Sequence, residues 1–109
     1  MEKETLKVSF HLEGDTMTAI LAGEVDHHSA APVRESIDAA LFKHRPRHLT
    51  IDLGKVGFMD SSGLGLVLGR VALCQELGTQ VRLARPSLRV KRIFAVAGIE
   101  RLENLTVEV

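Results

Sequence analysis

The chain has 109 residues, 45% of them apolar, and its 14 basic and 14 acidic residues balance to zero net charge. That length suits a single domain able to bury a core without disulfides or metal, and the apolar content excludes a disordered chain. Balanced charge argues against a general electrostatic grip on nucleic acid or on an anionic membrane surface.

The N-terminal Met1-Glu-Lys-Glu-Thr5 lacks the apolar core of a signal peptide. No apolar run approaches the roughly 20 residues of a membrane-spanning helix. Cytoplasmic residence is the expectation. Leu6, Val8, Phe10 and Leu12 alternate with Lys7, Ser9 and His11, the period of a half-buried strand. Glu13-Gly14-Asp15 reads as a turn, with Thr16 to Ala22 as the returning strand of a hairpin.

Gly23-Glu24-Val25-Asp26-His27-His28 leads to Ser29, a candidate N-cap for a helix with Val33, Ile37, Ala40 and Leu41 at helical spacing. Pro32 falls in its first turn, where a missing N–H costs nothing. Arg45-Pro46-Arg47 ends it. His48 to Leu53 reads as a buried strand. A periodic apolar segment from Ser61 to Leu77, with Gly78 behind it, predicts a second helix.

On that helix Leu64, Val67, Leu68, Val71 and Cys74 form one apolar stripe. Cys74 is therefore expected as a small core residue and not a redox centre. Leu66, Leu73 and Leu77 form a second stripe, with Leu73 and Leu77 assigned to packing against a third helix and Leu66 to a binding partner. Gln80 to Ala84 predicts another strand. Ser87 is a candidate cap for the third helix, whose buried stripe is Val90, Ile93, Phe94 and Ala97 and whose end is marked by Gly98. Leu105 to Val109 is the last predicted strand. A hairpin followed by alternating helices and strands predicts an α/β fold, a mixed β-sheet covered by about three helices.

The most informative stretch is Phe58-Met59-Asp60-Ser61-Ser62-Gly63-Leu64-Gly65-Leu66, at the junction between the central strand and the second helix. Unpaired backbone N–H groups and the positive end of the helix favour anionic groups there. Taken alone, either serine could cap the helix, serve an enzyme as nucleophile, or accept a phosphate. Ser62 is expected as the cap, with Ser61 presented outward and Asp60 as a second cap or an orienting partner. Gly63 and Gly65 are expected to keep the approach to Ser61 open.

Other residues allow fewer readings. Asp26-His27-His28 resembles the motif of DHH phosphoesterases, but the further acidic motifs of those metal enzymes are missing, and His11, His44 and His48 fall at no metal-ligand spacing. No metal and no cofactor are expected. A serine hydrolase would need the G-x-S-x-G elbow, which is missing. Arg89, Lys91 and Arg92 lack an aromatic platform and read as a solvated face, so no nucleic-acid partner is expected.

Gly23-Glu-Val-Asp-His-His28, Phe58-Met-Asp-Ser-Ser-Gly-Leu-Gly65, Leu68-Gly-Arg70 and Ser87-Leu-Arg-Val-Lys-Arg-Ile-Phe94 with Gly98-Ile99 occur in order along nearly the whole chain. In these motifs the sequence resembles the STAS domain of bacterial anti-sigma factor antagonists, those of sporulation in particular. The resemblance implies a partner switch that is not itself an enzyme. The unphosphorylated form binds an anti-sigma factor that is also a serine kinase, bringing ATP and magnesium, and sigma factor is released. Phosphorylation of the serine after the motif aspartate, Ser61 here with Ser62 as the alternative, ends that binding, and a serine phosphatase restores it.

The implied partner surface comprises Glu24, Asp26, His27, Asp60, Ser61, Ser62, Gly63, Gly65 and Leu66. A STAS module of another assembly, such as a stressosome or a lipid-transport complex, would share the fold. The sequence departs from the family twice. It stops at Val109, where the family usually has a further C-terminal helix, and it carries Asp52 where the sporulation proteins have asparagine, altering the charge expected near the site.

Overall fold

A computed structural model describes residues 5–108, and Val109, the end of the last predicted strand, lies outside them. Strands β1 (Lys7–Glu13) and β2 (Thr16–Val25) precede helix α1 (Ala30–His44). Strand β3 (His48–Met59), helix α2 (Ser61–Leu77), strand β4 (Gln80–Ala84), helix α3 (Leu88–Ala97), a 3-10 turn at Ile99–Arg101 and strand β5 (Leu105–Val107) follow. The strands form one mixed sheet in the order β1-β2-β3-β4-β5; β1 is antiparallel to β2 and the other pairs are parallel.

Each helix links neighbouring parallel strands, and the order advances in one direction. Right-handed crossovers then place all three helices on the same face of the sheet. Burial follows that rule. On β2, Met17, Ala19, Leu21 and Val25 are buried, while Thr16, Thr18, Ile20, Ala22 and Glu24 are half-buried on the other face. Val33, Ile37 and Leu41 of α1, Val67, Val71 and Cys74 of α2, and Val90 and Phe94 of α3 complete the core between helices and sheet. Cys74 is a buried core residue, as its place in the apolar stripe implied.

Local sequence explains most boundaries. Gly14 (φ 59°) makes the hairpin turn, and Gly78 (φ 75°) and Gly98 (φ 70°) end α2 and α3 in the left-handed conformation. The Ser87 hydroxyl accepts the Val90 N–H at 3.2 Å, the expected cap. Ser29 does not cap α1. Its own conformation is helical, and Asp26 Oδ1 instead accepts the His28 and Ser29 amides, each at 2.9 Å.

Both central strands outrun their predicted ends. β2 continues to Val25 and β3 to Met59, the extensions pairing through register shifts near Ala22 and Gly23. The extra residues lie in β3, whose two-residue burial period breaks after Leu53, whereas β2 keeps its alternation through Val25. Gly23, at φ 115°, is required there because a Cβ would stand 2.7 Å from the Thr5 carbonyl oxygen. The expected buried stripe of α3 stops at Phe94, with Ala97 exposed.

Candidate functional site at the start of the second helix

The site forms where β2 and β3 end side by side. Glu24 pairs with Phe58 and Val25 with Met59, and the Asp60 amide donates to the Val25 carbonyl at 3.3 Å. The Asp26–Ser29 loop and the Asp60–Ser62 junction therefore leave the sheet from adjacent carboxyl ends, the position where open α/β sheets place their binding sites. The expected neighbourhood of the two motifs is present.

Asp60 is extended (φ −100°, ψ −165°), and its carboxylate accepts the Ser62 N–H at 2.8 Å. Asp60 is thus the N-cap, and the expectation that Ser62 would cap is corrected. The reason is positional: Ser62 is already in the first helical turn, one residue beyond Ser61, and only Asp60 precedes the helix with its side chain free to reach back onto it. Ser61, the first residue of α2, is exposed, while Ser62 is half-buried. Among the described residues neither serine hydroxyl is bonded to a histidine, as a nucleophile with its base would be.

Between the N-terminal ends of α1 and α2 lies a cleft of about 370 Å³ lined by His27, Ala30, Ala31, Arg34, Ser62, Gly65 and Leu66. The His27 and His28 rings meet edge to face with centroids 5.6 Å apart, but only His27 lines the cleft. Arg34 was not among the sequence candidates. The signal was its position one turn after Ala30 in α1, readable only once α1 is known to lie beside α2.

Two more expectations change. Leu66 is 4% exposed and belongs to the core; what it offers is the floor of the cleft, not a projecting contact. The helix packed most closely against α2 is α1, and Leu73 and Leu77 are half-buried against the core. Gly63 is buried, and a Cβ there would collide with Met59, so its missing side chain makes room for the core. Gly65 is exposed with open space around the position of a Cβ. Of the two glycines, Gly65 alone opens the surface beside Ser61.

Below the cleft, Arg70 is almost fully buried and its Nε lies 2.6 Å from Asp38 Oδ1, tying α2 to α1. Its Nη1 also donates to the Leu66 carbonyl at 3.4 Å. Burial pulls the guanidinium below its ordinary pKa, and Asp38 opposes that shift. Asp52 does not add charge at the site. Arg85 grips it in a two-pronged pair at 3.0 and 2.7 Å, and the Gly54 amide adds a bond at 2.9 Å. The Arg85 hydrogen bond is the main reason its carboxyl lies below the usual 3.8. Seven strand positions, roughly 20 Å, separate it from Met59. Among the described residues no three His, Cys, Asp or Glu side chains could together hold a metal ion, and no helix is long and apolar enough to cross a membrane.

Residues 11–109 match the family model described as the STAS domain. The chain is 34% identical over 82 residues to an anti-sigma F factor antagonist of Paenibacillus polymyxa, covering 75% of this chain and 70% of the relative. It is 30% identical over 86 residues to an anti-sigma-B factor antagonist of Bacillus subtilis, covering 79% and 77%. The fold resembles the anti-sigma factor antagonist SpoIIAA in its unphosphorylated form (TM-score 0.78, 28% identity, 94% of this chain and 89% of that one). The phosphorylated form of the Bacillus cell fate determinant SpoIIAA gives a TM-score of 0.73 at 27% identity, covering 94% and 92%.

Proposed function

The chain belongs to the STAS family, and on that premise we propose that it is an anti-sigma factor antagonist whose binding is switched off by phosphorylation of Ser61. The observation that carries this reading is the exposed Ser61 at the first position of α2, immediately after an aspartate that holds the helix start. That cap leaves the serine hydroxyl free of a structural duty.

The chain supplies the acceptor and a complementary surface and is not itself an enzyme. The partner is an anti-sigma factor with serine kinase activity, which brings ATP, magnesium and the catalytic base. A serine phosphatase restores the unmodified form. The exchange takes place in the cytoplasm. In this reading Asp26, His27, Asp60 and Gly65 border Ser61, Glu24 adds negative charge at the strand ends, and the His27–Leu66 cleft receives a side chain of the partner. Phosphate adds about −1.5 to −2 charges. At a helix N-terminus that charge is electrostatically tolerated, so the fold persists. The interface does not tolerate it: a surface matched to a neutral hydroxyl and already flanked by Asp60, Asp26 and Glu24 meets a hydrated dianion and releases.

The relatives named as antagonists and the occurrence of SpoIIAA in both phosphorylation states support this reading. Phosphopeptide mapping after incubation with the captured kinase and ATP tests it. Label at Ser61 is expected. Label at Ser62 would move the acceptor by one residue. A tight complex with no label at either serine would assign the chain to a different STAS assembly.

A further inference from the structure

We propose that two copies of this chain pair through the edge strand β1, joining their sheets across a two-fold axis at Phe10. Among the described residues the order of the strands makes β1 an edge. It is seven residues long and pairs with β2 without a register shift from Lys7–Ala22 to Glu13–Thr16. It carries no proline and no bulge, two of the devices by which proteins blunt an exposed edge, and its lysine and glutamate, Lys7 and Glu13, stand at its two ends. Its outer backbone groups are therefore arranged as a template for another strand.

The side chains argue that the added strand is a second β1. Val8, Phe10 and Leu12 lie on the same face as the buried Leu21, Ala19 and Met17 of β2, yet Phe10 is 39% and Leu12 47% exposed. The helical layer covers this face of β1 only in part. The strand reads Lys-Val-Ser-Phe-His-Leu-Glu. Turned antiparallel about Phe10, it sets Lys7 against Glu13 of the other copy, Val8 against Leu12, and Ser9 against His11.

Opposed residues in this register have the same parity, so each apolar face meets an apolar face. The two Phe10 rings meet at the axis, and an opposite-charge pair closes each end. Among the described residues of one copy Glu13 has only a 3.8 Å approach from the exposed His11, which leaves it available to a lysine. The result is an isologous interface, a ten-stranded sheet with the helices of both copies on one face. It uses the side of the sheet and not the strand ends that carry Ser61.

Sedimentation equilibrium on the full chain over a concentration series tests the pairing. A monomer–dimer equilibrium is expected, with the dimer lost in Phe10→Lys while far-UV circular dichroism stays unchanged. Lys7→Glu and Glu13→Lys should each weaken the dimer about tenfold at low salt, and combining them should restore it to within about twofold, because the swap re-forms both end pairs. That rescue depends on the register and would not follow from a loss of folding. A chain monomeric up to millimolar concentration would overturn the proposal and leave the edge to a strand of another protein. A dimer that survives Phe10→Lys, or charge reversals that do not compensate, would also overturn it.

Discussion

Adding a side chain at position 63 and adding one at position 65 should have opposite consequences, although both glycines belong to the same motif. A Cβ at Gly63 overlaps Met59 Cγ and comes within 2.7 Å of its Sδ, and Met59 is itself 2% exposed. Gly63→Ala should therefore destabilise the fold. Overpacking of this kind costs about 1–3 kcal/mol, against a helix-propensity gain of at most about 1 kcal/mol. Gly65→Leu meets open space and should leave the urea midpoint unchanged or raised while weakening partner binding. Denaturation curves for the two variants, with an affinity measurement on the second, check the contrast. Cys74 is fully buried in the core, and burial raises its thiol to about 11. It should react with a thiol reagent only as fast as the protein opens. The unfolded chain ionises this group first as pH rises from 9 towards 11, so its contribution to stability is complete below that window and is lost across it. Cys74→Ala should show a shallower fall of the urea midpoint over the same range.

Helices α1 and α2 are held together by burial and by one ion pair, Arg70–Asp38, whose arginine side chain is 8% and whose aspartate side chain is 29% exposed. Asp38→Ala should strand a buried guanidinium and cost about 2–4 kcal/mol, near the lower end for broken buried pairs because Asp38 retains some contact with water. Combining it with Arg70→Met should recover much of that loss, which equilibrium unfolding of the single and double variants would reveal. This pair also shows where a sequence reading of elements runs out. The caps at Ser87, Gly78 and Gly98 were legible because capping is local chemistry. Arg70 lies on the same helical stripe as Leu66, Val67 and Cys74, so its burial had a spacing signal that its charge masked. Asp38 as its partner had none, since nothing in either helix states that they are neighbours. The register shifts by which β2 and β3 reach the site are likewise a property of the paired strands that neither strand's sequence states alone.

For the molecule as a whole, the sequential strand order puts the helices on one face and gathers the ends of β2 and β3 at the start of α2. The mixed sheet with three helices was legible from the alternation of periods. At the site, Asp60 and Ser61 stood out as a strand-to-helix junction, whereas the Asp26 loop joined them through family resemblance, and Arg34 came into view only in the folded arrangement. Phosphorylation should act on this molecule without unfolding it, because its charge falls at a helix N-terminus while its bulk falls on the binding surface. The most direct test is the affinity of the anti-sigma kinase for the unmodified chain, Ser61→Ala and Ser61→Asp, measured by titration calorimetry, with circular dichroism confirming that all three are folded. Ser61→Ala should bind like the unmodified chain and stay bound when ATP is added. Ser61→Asp should bind at least about tenfold more weakly, a difference of about 1.4 kcal/mol. Equal affinity of all three, with ATP releasing Ser61→Ala as readily as the unmodified chain, would contradict the account.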